Sequence, residues 1–208
     1  MNMNKLLRTA LLFSITMFVL CGLIYPLAVT GISQVLFPSQ ANGSLVYVDG
    51  QAVGSKIVGQ QFEQAGFMKS RPSAVNYNVY TQEQKDSGEY TGVASGSNNY
   101  APSNPKLLER VQNDLQKFLA EHPQVKISEI PAELLTASGS GLDPHISPQS
   151  AAIQIPALER STGLSAGELS GIIQANTQGR FLGVFGEPTV NVLGVNIDIA
   201  KALKNTNK

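Results

Sequence analysis

The chain has 208 residues with 15 basic and 15 acidic side chains, a formal net charge of zero, and a single cysteine. That balance lacks the basic stripe a nucleic-acid binder needs, and one thiol excludes an intramolecular disulfide. The length suffices for one domain with a modest core, held by packing rather than by staples.

No Asp, Glu, Lys, Arg or His occurs from Thr9 to Val48, and residues 10–32 are apolar apart from Ser14, Thr16, Tyr25 and Thr30. At ~1.5 Å per residue such a run spans a hydrocarbon core of ~30 Å with some tilt to spare, which predicts a transmembrane helix over residues 10–36. Lys5 and Arg8 precede it and no charge follows until Asp49. The positive-inside bias then puts residues 1–9 in the cytoplasm and residues 37–208 outside. Setting Lys5 and Arg8 aside leaves 13 basic against 15 acidic residues beyond the span, a balance of −2. A cleavable signal peptide is the weaker reading, because the apolar run is long and Ile24, Tyr25 and Pro26 spoil the cleavage site. A lipoprotein cysteine at Cys21 is weaker still, with Leu20 before it where a small residue is wanted. Pro26 predicts a mild kink, the alternative being a contact point with another membrane subunit.

Beyond the span, residues 44–48 and 52–58 flank Asp49-Gly50, a hairpin signal. Residues 62–100 turn to Gly, Ser, Asn and Tyr with little periodicity, a loop long enough to be functional or mobile. Asn104-Pro105 then offers an N-cap and a first-turn proline. Leu107, Leu108, Val111, Leu115, Phe118 and Leu119 follow at three- and four-residue spacing, predicting a helix with one buried face, Lys106, Glu109, Arg110 and Lys117 solvated, and His122 at a solvated end. A second helix begins at Ser147-Pro148 and is shortened or kinked by Pro156. A third opens at Ser165, with Glu168 three residues on as a capping box. Residues 189–195 read as a strand, followed by a short C-terminal helix with Lys201, Lys204 and Lys208. Helices and strands mix without a βαβ rhythm, so the fold class is α+β: one N-terminal transmembrane helix and one mixed domain.

Residues 136–148 read T-A-S-G-S-G-L-D-P-H-I-S-P, with hydroxyls, two glycines, an aspartate and one of only two histidines in a segment without period. Ser138, Gly139, Ser140, Gly141, Asp143 and His145 are therefore the candidate functional loop. Residue types alone allow a hydrolase built on Ser138 or Ser140 with His145 and Asp143. The Gly-x-Ser-x-Gly elbow is not met, and residues so close in sequence rarely reach triad geometry. No P-loop lysine stands beside Gly139-Ser140-Gly141, and His122 and His145 lack the spacing of a zinc pair. The structural reading is favoured: hydroxyls bonding to nearby backbone, a turn at Asp143-Pro144 and a helix cap at Ser147. Arg71, between Ser70 and Pro72, is either a loop-pinning donor or a partner contact.

Short blocks in fixed order across nearly the whole chain resemble the KdpC family of the Kdp potassium-transporting P-type ATPase. They are Gly22-Leu23-Ile24-Tyr25-Pro26-Leu27, Ala41-Asn42-Gly43-Ser44-Leu45, Arg71-Pro72-Ser73-Ala74, Ser95-Gly96-Ser97-Asn98, the 136–148 run, Gly186-Glu187-Pro188 and Val190-Asn191-Val192-Leu193. Gly194 departs from the family pattern, where a larger or charged residue is expected. The resemblance implies a non-catalytic subunit of a high-affinity potassium importer in the bacterial inner membrane. Its implied partners are the potassium-binding subunit (KdpA), the ATP-hydrolysing subunit (KdpB) and a small membrane peptide (KdpF). It implies no bound cofactor: potassium is the transported ion of the complex, and ATP enters through the hydrolytic subunit. The phosphorylation sequence D-K-T-G-T is missing here, so this chain is not that subunit. Arg71, Pro72, Ser97, Asn98 and Asn191, inside these blocks, are the candidate partner contacts. A role in stabilising assembly competes with the family's description as a catalytic chaperone that raises ATP affinity, which sits awkwardly with an outer domain lacking a phosphate-cradling lysine.

Overall fold

The computed structural model describes residues 3–88, 90 and 92–206. The chain divides between Val53 and Gly54 into two compact units.

The first unit is dominated by one continuous helix over Met3–Leu36, long and apolar enough to cross a membrane and with none of its apolar stretch buried. It consists of α1 (Met3–Val19), a π turn (Leu20–Ile24) and α2 (Tyr25–Leu36). The π turn answers Pro26. A proline has no N–H for the carbonyl four residues back and crowds it, and a widened turn relieves both problems. The Tyr25 N–H accordingly reaches the Leu20 carbonyl, five residues back. Thr9 and Thr16 donate their hydroxyls to the carbonyls of Lys5 and Leu12, so these polar groups are satisfied within the helix. A single-turn α3 (Pro38–Ala41) leads into β1 (Leu45–Val48). Asp49 (φ 50°) and Gly50 (φ 79°) both adopt the left-handed conformation that a two-residue hairpin turn demands, and β2 (Gln51–Ser55) returns. The strand is shorter than expected: beyond Ser55 only a single bridge to Val58 continues the pattern.

In the second unit residues 56–104 are mostly irregular, interrupted by a 3₁₀ turn (Asn76–Asn78) and by α4 (Gln82–Asp86), which opens on a Thr81/Gln84 capping box. Helix α5 (Pro105–Glu121) starts on its expected Asn104 cap. Its apolar face, expected to be buried, is only half-covered: no residue of α5 is fully buried and Leu108 is exposed. Arg110, expected in solvent, is half-buried beside Asp114 at 4.0 Å. His122, expected in solvent, is 2% exposed. Its ring stacks on Phe118 at 4.1 Å and its Nδ1 lies 2.9 Å from the Phe118 carbonyl, which a protonated Nδ1 satisfies.

The core belongs to the C-terminal part. Here β3 (His145–Ile146), β4 (Thr177–Gln178) and β5 (Thr189–Asn191) form a small antiparallel sheet in the order β3-β5-β4, with His145 opposite Asn191 and Thr177 opposite Val190. Around it pack α6 (Pro148–Ala152), α7 (Ile155–Thr162), α8 (Ala166–Ala175) and α9 (Val192–Thr206). The Ser147 cap, the break before Pro156 and the Ser165/Glu168 capping box stand where the sequence puts them. The predicted strand over residues 189–195 is corrected: it ends at Asn191, and α9 is a 15-residue helix rather than a short one. The Asn191 carboxamide accepts the Gly194 N–H at 2.9 Å, an N-cap, and Val192, Val195 and Ile199 then bury one helical stripe. Lys208 lies outside the described residues. The observed mixture of helices and small sheets is α+β.

Candidate functional site

The 136–148 run is ordered, ends in β3 and the Ser147 cap, and turns the Ser138 and Ser140 hydroxyl oxygens to its own backbone. Ser138 is 5% exposed, and its hydroxyl oxygen accepts the Gly141 N–H at 2.9 Å. The Ser140 hydroxyl accepts the Leu142 N–H at 3.1 Å. Gly141 has φ 66°, and a methyl group there would stand 2.7 Å from the Gly96 carbonyl and 2.8 Å from the Val75 side chain. Asp143 closes an Asx turn by accepting the His145 N–H at 3.0 Å.

The loop's carbonyls gather distant segments. That of Ser140 accepts the Gly96 N–H (2.7 Å) and the Ser95 hydroxyl (3.0 Å), and that of Gly141 accepts the Ser73 hydroxyl (2.6 Å). Those of Leu142 and Pro144 accept the N–H groups of Gly59 (2.8 Å) and Val192 (3.1 Å). Gly59 permits this approach, because any side chain would overlap the Asp143 carbonyl and come within 2.7 Å of the Tyr77 ring. Glu133 fastens the far end by accepting the Ser147 N–H at 2.8 Å and the Ser150 hydroxyl. Burial works against its charge, but these hydrogen bonds win and hold its carboxyl below the ordinary value.

Arg71 pins the loop from outside, with Nη1 3.2 Å from Asp143 Oδ2. Its Nε is buried without a hydrogen-bond partner. The Tyr77 hydroxyl donates to the Arg71 carbonyl at 2.8 Å, and burial pushes that phenol above its ordinary value. Asn76, Tyr77 and Asn78 all have positive φ, a left-handed turn that seats the Tyr77 ring. The His145 ring is 3.9 Å from the Asp143 carboxylate, too far for a hydrogen bond, while its Nε2 lies 3.4 Å from the Asn191 carboxamide. Asn191 also donates to the Lys56 carbonyl at 2.9 Å. Pro72 and Ser97 are half-buried, Ser97 donating to Asn99 at 2.7 Å, and Asn98 is exposed. The residue types of a hydrolase are thus close together without its geometry: both serine hydroxyls accept backbone N–H groups of their own loop, and the imidazole turns to Asn191. Among the described residues no group of three or more His, Cys, Asp or Glu side chains is placed to share a metal.

Two residues that sequence reasoning missed hold the irregular segment onto the core. Buried Asn196 accepts the Met68 N–H at 2.7 Å and donates to its carbonyl at 3.0 Å. Buried Gln154 does the same for Lys69, at 2.8 and 3.2 Å. The two carboxamides imitate a paired strand and satisfy the backbone groups that entry into the core would otherwise orphan.

A family model described as "K+-transporting ATPase, c chain" matches residues 7–201. The chain belongs to the KdpC family. Similar curated relatives are the potassium-transporting ATPase KdpC subunits of Clostridium kluyveri, Clostridioides difficile and Caldanaerobacter subterraneus. The first is 60% identical over 204 residues, 98% of this chain and 97% of that protein. The second is 53% identical over 204 residues, 96% and 98%. The third is 42% identical over 206 residues, 99% and 100%. KdpC membership makes the chain one accessory subunit of a potassium-transporting ATPase rather than its catalytic chain. Packing gives Gly194 a physical reason in this member. A Cβ there would overlap the Asn176 carboxamide, which bonds at 2.9 Å to both Asp198 and the Ile172 carbonyl.

Proposed function

We propose that this KdpC subunit works by contact. Its apolar stem crosses the bacterial inner membrane once, with Lys5 and Arg8 inside. The domain after Phe37 lies outside, where it clamps the potassium-binding and ATP-hydrolysing subunits together and covers the potassium entrance. The observation that carries this reading is the loop over residues 138–144, whose hydroxyls and carbonyls join segments around Gly59, Ser73, Ser95 and Val192 into one body. A body built that way offers a fixed surface rather than a free reactive group. Of the candidate partner contacts, Asn98 is the exposed one, while Arg71, Pro72, Ser97 and Asn191 support the surface from behind.

The test removes everything after Phe37 and keeps the stem. The expected result is loss of co-purifying subunits in mild detergent and a weakened potassium affinity; unchanged transport contradicts the clamp. Association of ATP with the purified chain at millimolar nucleotide would instead favour a role in raising the ATP affinity of the hydrolytic subunit.

A further inference from the structure

Between β4 and β5 the chain runs R-F-L-G-V-F-G-E from Arg180 to Glu187 and folds back on itself. The Phe181 N–H reaches the Phe185 carbonyl at 2.8 Å and the Phe185 N–H reaches the Phe181 carbonyl at 3.0 Å. Gly183 and Val184 add bonds to Arg180 and Phe181 at 3.0 and 3.2 Å, and Arg180 pairs with Glu187 at 2.9 Å across the base. The backbone is thus tied into a finger, yet its side chains point nowhere inside the molecule. Phe181, Leu182, Val184 and Phe185 are 69, 75, 71 and 63% exposed. Together they show roughly 500 Å² of apolar surface, at the upper end of what the largest patch on a monomer covers.

Leu182 sharpens the anomaly. It takes φ 53° beside Gly183 at 75°, positions where a tight hairpin prefers Asn-Gly. A leucine is strained there, and strain kept at an exposed tip points to a use for the side chain.

We propose that residues 180–187 form a preformed apolar anchor that seats in an apolar recess on a neighbouring protein subunit of the same transport complex. The inference rests on reading the domain as an assembly clamp and names the part of it that grips. Two features select this occupant. The finger is convex and already hydrogen-bonded, so little ordering is left to do on docking, as for the aromatic and aliphatic anchors that fill partner pockets. Arg180 and Glu187 neutralise each other, leaving no free cation to recruit the finger to anionic headgroups.

The test keeps the full chain in its complex. A photo-crosslinking benzoylphenylalanine in place of Val184, irradiated in membranes, should give an adduct with another subunit of the transporter. Adducts only with lipid, or only with a second copy, overturn the proposal. In parallel, Leu182→Asn suits the left-handed backbone, so the purified chain should melt no lower than the parent, while co-purification of the other subunits should fall at least about tenfold. Unchanged co-purification overturns the anchor. If Leu182→Asn is silent but removal of everything after Phe37 still breaks the complex, the finger fails and the clamp stands. If both are silent, both fail.

Discussion

The loop over residues 138–144 and the finger over residues 180–187 are both glycine-bearing turns in the same unit, and they are built in opposite senses. The loop carries the side chains of chemistry and turns them to its own fold: Ser138 and Ser140 cap their own backbone, Asp143 holds Arg71, and the carbonyls collect four other segments. The finger spends only its backbone and base charges on itself and leaves four apolar side chains in water. Reactive residue types therefore mark the joint that makes the body rigid, and unreactive ones mark the surface with contact still to make. A hydroxyl already accepting a backbone N–H gains little by leaving it, whereas an exposed phenylalanine gains by finding a partner.

The largest effect is expected where the joint is forced open. Gly59→Val must displace the Asp143 carbonyl or the Tyr77 ring, and overpacking of this kind costs about 3 kcal/mol, or about 10 °C for a unit of this size. Thermal unfolding of the full chain in detergent measures it, and an unshifted midpoint would deny that the loop holds the body together.

Next in size is Asn196→Ala. It orphans the buried N–H and carbonyl of Met68, and about 2 kcal/mol of stability should go in urea titration, with no effect on the finger.

A smaller effect comes from His122. Burial lowers its pKa below 6.5, with Lys69 and Arg160 adding to that direction, and the Phe118 carbonyl and Glu121 opposing. The neutral ring is the folded form, so its contribution is fully present above pH 6.5. It is lost progressively as pH falls below that value and through the lower folded-state pKa, because the unfolded chain takes up the proton first. Between about pH 7 and about pH 5.5 the parent should lose stability and His122→Phe should lose less; equal slopes would contradict the assignment. Glu133 and Asp198, both held low by hydrogen bonds, act only below the ordinary carboxylate range.

Much of this architecture is legible in the sequence where the cause is local. Asp49-Gly50, Asn104-Pro105, Ser147-Pro148 and Ser165 with Glu168 announce their turn and helix starts because a cap or turn is decided within four residues. The long apolar helix is legible because length and mean composition alone mark a segment able to cross a bilayer. The strand over residues 189–195 misled because a β-branched run suits either period, and the Asn191 cap decided it for the helix. His122 was missed although Phe118 stands four residues before it, the spacing at which rings stack on a helix. Gln154 and Asn196 could not be found: their partners lie 85 and 128 residues away, and one buried carboxamide in a helix has no sequence signature. Of the candidate site, the hydroxyl caps and the Asp143 turn were readable, while the segments they fasten, around Gly59, Ser73 and Ser95, were not.

The smallest effect is expected where the residues look most chemical, and it bears on whether the subunit acts by contact or by reaction. Ser140→Ala combined with His145→Gln removes the exposed serine hydroxyl and the half-buried imidazole of the 136–148 run, and leaves Ser138, Gly141 and Asp143 in place. Potassium uptake by cells whose complex carries this double variant should stay within about twofold of the parent, the range of a surface substitution. Uptake abolished while the complex assembles in normal amount would contradict the account.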